Sequence, residues 1–234
     1  MPTLALAILL ARVVGDPVGD LKKAEEVRDQ GDLASAERLM RQAASEAPEW
    51  PLPMIDLAEL LVREGSAAEA RSLAETAVRL DPDAPRAWHV ASLSEELTGA
   101  LSAAEASDRR ALELRPGYAE AGDHLAQLLW NEGKRQPAIE LYLKLVGERP
   151  GDLPLLATLA SAEEEAGATE QAEQALRTLA RIEPQSPVWH RRLARLLEGE
   201  GKNREAAQEL AAADRIAGTR RQERHLRPLL PSKR

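Results

Sequence analysis

Apolar residues recur along the chain in steps of three and four, between short breaks that carry glycine or proline. That spacing is the signature of amphipathic helices with one buried stripe. Cut every 34 residues from Pro17, the chain gives six windows without an insertion: 17–50, 51–84, 85–118, 119–152, 153–186 and 187–220. Within them, apolar side chains fall at the seventh, eleventh, twenty-fourth and twenty-seventh positions, as Leu57, Leu61, Leu125, Leu129, Leu159, Leu193 and Leu197 illustrate. The pattern predicts two antiparallel helices per window with an apolar layer between them.

Small and special residues hold the same register. The fifteenth position is Gly31, Gly65, Gly99, Gly133, Gly167 and Gly201, where a helix should stop in the left-handed conformation. The eighth is Ala24, Ala58, Ser92, Ala126, Ala160 and Ala194, and the twentieth is Ala36, Ala70, Ala104, Ala138, Ala172 and Ala206. Small side chains there let two helix axes approach closely. The thirty-second is Pro48, Pro82, Pro116, Pro150 and Pro184, with Gly218 in the last window. Proline stops the second helix and opens the turn to the next pair. Pro17, Pro85 and Pro187 open their windows, where a proline loses no internal bond.

The small eighth residue, the alanine at twenty, the proline at thirty-two and Trp88 at the fourth position resemble the tetratricopeptide repeat family over residues 17–220. The resemblance implies an all-α, right-handed superhelical solenoid of six antiparallel helix pairs. It also implies a non-catalytic scaffold or adaptor, or else a regulatory or substrate-recruiting subunit for an enzyme on a separate chain. The pattern has departures. Only the third window has Trp at position four, and position twenty-four holds Met40, Ala74, Asp108, Tyr142, Leu176 and Leu210. Ala91, Glu95 and Asp108 in window three, and Glu163 in window five, stand where large apolar residues belong. Either these carboxylates tilt outward or pair with Arg109 and Arg110, or the array has a soft joint. Hydrogen exchange separates the two: a soft joint makes 85–118 exchange before 119–152.

The 234 residues carry 31 basic and 39 acidic side chains, a net charge of −8, which argues against a general nucleic-acid binder. Cysteine is absent, so disulfides, thiolate metal sites and cysteine nucleophiles are excluded. Phe is absent as well, so the core rests on Leu, Ala, Val and Ile. No catalytic signature appears, and no cofactor is expected. Gly199-Glu200-Gly201-Lys202-Asn203 lacks the first glycine and the Ser or Thr of a phosphate loop. His89 and Asp123 share position five of neighbouring windows, with His124 next to Asp123. Fewer than three converging ligands are legible there, so no metal site is expected. The Arg-heavy, Ala-rich usage suggests a bacterial source.

Residues 1–16 precede the repeats, and their apolar run from Leu4 to Ala11 is expected to form an N-terminal capping helix. The alternative is a membrane-associated or periplasmic protein held through residues 1–14; a cytoplasmic protein is the favoured reading. From His190 onward the charge balance is +6, against −14 for the rest, and residues 221–234 read as a basic C-terminal tail.

By the same resemblance, positions two, five, six, nine, twelve and thirteen face a concave groove. Ile55, Val62, Leu93, Leu97 and Trp130 supply an apolar stretch there, and Arg191, Arg192 and Arg195 a basic cluster. His89, His124, Gln127 and Asn131 complete the candidate partner-binding residues. The expected partner is a protein or peptide with apolar anchors and an acidic segment. Self-association is the competing use of the groove, and neither nucleic acid nor a membrane is expected as partner. Chaperone-tail-binding family members carry a carboxylate clamp, and no three consecutive windows reproduce it.

Overall fold

A computed structural model describes residues 15–226. The expected N-terminal capping helix and the end of the basic tail lie outside the described residues. Every described element is an α-helix, and the helices run in the predicted register. They are α1 (Pro17–Asp29), α2 (Leu33–Glu46), α3 (Pro51–Glu64), α4 (Ala67–Leu80), α5 (Pro85–Leu97) and α6 (Leu101–Leu114). There follow α7 (Ala119–Asn131), α8 (Arg135–Glu148), α9 (Leu153–Ala166), α10 (Thr169–Ile182), α11 (Pro187–Gly199) and α12 (Asn203–Leu226). The described residues form two compact units, divided in sequence within α7 after Leu128.

Proline and aspartate set the helix starts. Pro17, Pro51, Pro85 and Pro187 occupy first helical positions. The carboxylates of Asp16, Asp32 and Asp152 accept from the backbone N–H three residues on, at 2.9, 3.1 and 3.0 Å. Glycine sets the first stop in each pair. At Gly65 (φ +79°) α3 ends with the Ser66 N–H donating to the Leu61 carbonyl at 2.8 Å, the hydrogen-bond closure that a left-handed residue permits. The last helix has no proline at its thirty-second position. It runs 24 residues, through Gly218, where the five earlier second helices have ended by the equivalent point.

In the first unit α1 packs on α2, α3 on α4 and α5 on α6, and α2–α3 and α4–α5 join successive pairs. The first helices α3 and α5 also touch, which makes them one layer of that unit. In the second unit α9 packs on α10 and α11 on α12, joined through α8–α9 and α10–α11. The small residues at positions eight and twenty are at most 1% exposed in all six repeats, from Ala24 and Ala36 to Ala194 and Ala206. Side chains this small leave room for the paired helices to approach closely there. Around them leucines such as Leu57, Leu61, Leu125, Leu129, Leu193 and Leu197 are buried.

The carboxylates at core positions point inward, contrary to the expectation that they tilt out. Arg109 and Arg110 are not their partners: Arg109 pairs with Glu105, and Arg110 with Glu113 and Asp83. Glu95 accepts from the Ser107 hydroxyl at 2.7 Å, and burial raises its pKa. Asp108 is fully buried between two histidines. Glu163 is 2% exposed, and its Oε2 has no hydrogen-bond partner. Burial alone pushes its pKa up to about 7. The reason is positional. Position twenty-four is buried at Met40, Ala74, Asp108, Tyr142 and Leu176, and position eleven at Leu61, Leu129 and Leu197, so an acid placed there goes inside with the helix face.

Two expectations follow. Gly65→Ala should cost about 1–2 kcal/mol, because a Cβ there meets nothing within 4 Å and only the backbone conformation resists it. Gly151→Ala, with no positive φ and equally open space, should be neutral in the same urea titration. Glu163 keeps its proton longer when folded than when unfolded. Its favourable neutral form is fully present below pH 4.5 and is lost as pH rises through about 7. Glu163→Gln should therefore match the native chain in acid and exceed it by about 2–3 kcal/mol in mild alkali.

Candidate functional site

The first helices of successive repeats carry polar side chains that reach from one repeat to the next. In the first unit Arg86, at position two, reaches back to Glu59 at 2.5 Å and to Asp56 at 2.6 Å. Asp56 is buried, and its second oxygen has no partner. Burial raises its pKa against the opposing pull of Arg86. Burial acts the same way on Glu59, but its hydrogen bond and charge interaction with Arg86 outweigh it and hold the pKa below the ordinary value. A second pairing recurs in both units, from position six of one repeat to position twelve of the repeat before. His124 meets Glu96 at 2.9 Å in the first unit, and Arg192 meets Glu164 at 2.7 Å in the second.

A cleft of about 510 Å³ opens in the first unit. Arg28, Glu59, Arg63, Arg86, His89, Val90, Leu93, Arg115 and Tyr118 are among its lining residues. Its floor is apolar at Val90 and Leu93, and the Arg115 guanidinium stacks 3.6 Å from the centre of the Tyr118 ring. A second cleft, of about 400 Å³, lies in the second unit, lined by Glu164, Thr169, Arg192, Arg195, Leu196, Gly199 and Glu200.

Beside the first cleft three side chains converge. The His89 Nδ1–H donates to Asp108 Oδ1 at 2.8 Å, and the His124 Nδ1–H donates to Asp108 Oδ2 at 2.5 Å. The other nitrogen of His124 donates to Glu96 Oε2 at 2.9 Å. A carboxylate oxygen against each ring nitrogen favours the protonated form of His124. Burial lowers its pKa, but the hydrogen bonds and charges of Asp108 and Glu96 more than offset that and raise it. The two rings meet edge to face, 5.6 Å between centres. The carboxylate that joins the histidines is Asp108, not Asp123.

The predicted partner residues divide sharply. Ile55 is 4% exposed and packs in the core with Met54, Ala58, Ala74 and Val90, so it is not a groove anchor. Position five of that helix turns in towards the next repeat. Val62 packs partly buried against the core around Leu57 and Leu61. His89 is buried and His124 half-buried, both committed to Asp108. Leu93 lines the first cleft, and Leu97, one turn further along α5, is 47% exposed. Gln127 is exposed in the first unit and Asn131 in the second. Trp130 is half-buried, with the Arg135 guanidinium 3.9 Å over its ring centre, so its own chain covers one face. The basic cluster is also divided. Arg192 is held by Glu164 and Ser161, and Arg191 reaches Asp214 at 3.5 Å. Arg195 is exposed and makes no ion pair among the described residues. Asp56 was not anticipated from the sequence; Asp108 stood out there only as an acid at a core position, without its histidine partners.

Helix pairs repeated in one fixed register, with no strand among the described residues, define an α-helical repeat protein. Residues 27–93 match the family model described as tetratricopeptide repeat. The fold of the described residues is that of tetratricopeptide-repeat proteins. Among solved structures it is similar in fold to MamA protein, at 21% identity, covering 72% of this chain and 92% of that one, with a TM-score of 0.63. YrrB, described as a TPR protein with an unusual peptide-binding site, matches at 16% identity over 81% of this chain and 97% of its own, TM-score 0.62. A tetratricopeptide repeat protein from Parabacteroides merdae matches at 20% identity over 82% and 77%, TM-score 0.62. No curated protein matches the chain in sequence. No helix among the described residues is long and apolar enough to cross a membrane.

Arg86→Ala would leave Asp56 buried without its cation. We expect a loss of about 2 kcal/mol at neutral pH, and most of it should return in the Arg86→Ala/Asp56→Asn double variant. Urea unfolding of the four members of that cycle measures both quantities.

Proposed function

We propose that this chain is a non-catalytic interaction scaffold that binds a protein segment along its first helices. One observation carries the reading. Leu93 lines an open cleft, and Leu97, the next side chain on the same stripe of α5, stays 47% exposed although the core does not need it. Around that apolar strip, Arg28, Arg63, Arg86 and Arg115 line the same cleft together with Asp29, Glu59 and Glu120. An extended or helical peptide with one or two apolar anchors fits such a surface, anchored by its side chains and oriented by the charged rim. In the second unit Arg195 offers an uncommitted guanidinium beside a cleft of its own, suited to a carboxylate on a partner. The peptide-binding site named for YrrB supports a peptide as the class of ligand.

The test is a displayed library of random peptides panned on the full chain. Selected peptides should share one or two spaced apolar residues. Leu93→Glu with Leu97→Glu should weaken their binding at least tenfold while far-ultraviolet circular dichroism stays unchanged. Arg195→Glu should weaken acidic peptides alone. Unchanged binding by the Leu93/Leu97 pair variant would move the site away from α5.

A further inference from the structure

The His89–Asp108–His124 cluster is more than a neutralised core charge. Asp108 stands at position twenty-four, a place filled by Met40, Ala74, Tyr142 and Leu176 in sister repeats, and it is completely buried. Packing alone would be served there by an apolar side chain. Instead the chain places a carboxylate with two imidazoles against it, one from α5 and one from the next first helix, α7. One ligand atom from each of the three residues lies within 4.8 Å of the other two.

We propose that His89, Asp108 and His124 form a binding site for a divalent transition-metal ion, with Zn2+ the best match. Two imidazoles and one carboxylate are a donor set that favours zinc and its first-row neighbours over calcium or magnesium, which seek oxygen. Three protein ligands leave the fourth position of a tetrahedral ion open to water or to a donor from a bound partner. Two of the three ligand separations need only a small change. Zinc bonds of about 2.0–2.2 Å separate neighbouring ligand atoms by roughly 3.3 Å. The present separations of 2.8 and 2.5 Å from the carboxylate therefore open by about half to one ångström when the ion replaces the two Nδ1–H protons.

The surroundings have the form of a metal site's supporting shell. Glu96 accepts from the far nitrogen of His124 at 2.9 Å, which fixes the ring and leaves Nδ1 as the donor atom. The Ser92 hydroxyl lies 3.4 Å from that same Nδ1 and is itself anchored on the Ala104 carbonyl at 2.8 Å. His89 packs edge-on to Tyr118, at 5.4 Å between ring centres, and lines the open cleft of the first unit, which gives an ion a way in. All of these groups belong to the first unit. Because the metal would join α5, α6 and α7, its binding also clamps two successive repeats.

The experiment uses the full chain, freed of metal with a chelator, and titrates Zn2+ and Co2+ alone. Isothermal calorimetry should show one equivalent of Zn2+, and Co2+ should develop the visible bands of a four- or five-coordinate ion that Zn2+ then erases. Long-range imidazole spectra should show two of the four histidines moving with the added metal. His89→Gln and His124→Gln should each abolish both signals, and Glu96→Gln should weaken Zn2+ by ~10-fold or more while leaving the stoichiometry at one. The native chain needs no variant to fail the test: no stoichiometric Zn2+ uptake, or uptake that leaves every imidazole resonance in place, overturns the assignment. So does Co2+ absorption that survives in both histidine variants.

Discussion

The structure depends on how closely two helices can approach at positions eight and twenty of each repeat. Those side chains are Ala or Ser throughout, and they are shut off from solvent in every repeat. A larger residue would push the helix axes apart and empty the leucine layer beside them. With the axes close, modest side chains suffice to fill the gap. That is how a chain without Phe fills the space between its paired helices. The glycine stop and the proline turn matter because they return the chain at the correct length to repeat this contact. Where the proline is missing, at Gly218, the helix continues.

The same close packing decides the fate of polar residues on the buried face. An acid at position eleven or twenty-four cannot swing out, because the helix face that carries it is already committed. Three acids meet this constraint in three ways. Glu95 takes a hydroxyl from the facing helix, Asp108 takes two imidazoles, and Glu163 leaves its Oε2 unpartnered and is pushed towards its neutral form by burial. The cost of burying a charge is offset by a neighbour in the first two cases and avoided by neutralisation in the third. Only the Asp108 solution brings several metal-competent groups to one point.

The fold was legible because its determinants are local and repeated: a glycine every 34 residues, paired small residues, and a proline before each new pair. The helix boundaries follow from them. The site was less legible because its determinants join residues that the linear pattern does not align. Asp108 meets His89 from 19 residues away and His124 from 16, across different helices. Reading down the first helices alone paired the histidines with Asp123 and missed the acid on the second helix. Ile55 is buried, and Trp130 covered on one face, for a related reason. A helical stripe says which side chains share a face, but not whether the next repeat or a neighbouring Arg135 already covers them.

The interrepeat pairs have a further consequence for how the chain finds its fold. An array built from near-identical alanine and leucine contacts offers many almost equally good ways to dock a helix pair one step out of place, on itself or on another chain. The contacts from Arg86 to Glu59 and from His124 to Glu96 join different positions of neighbouring repeats, and Arg192 to Glu164 repeats the second arrangement with a different cation. They act as address labels: a misplaced pair would bury or oppose charges that the correct neighbour satisfies. The generic core supplies cohesion, and these few polar contacts keep the repeats in order.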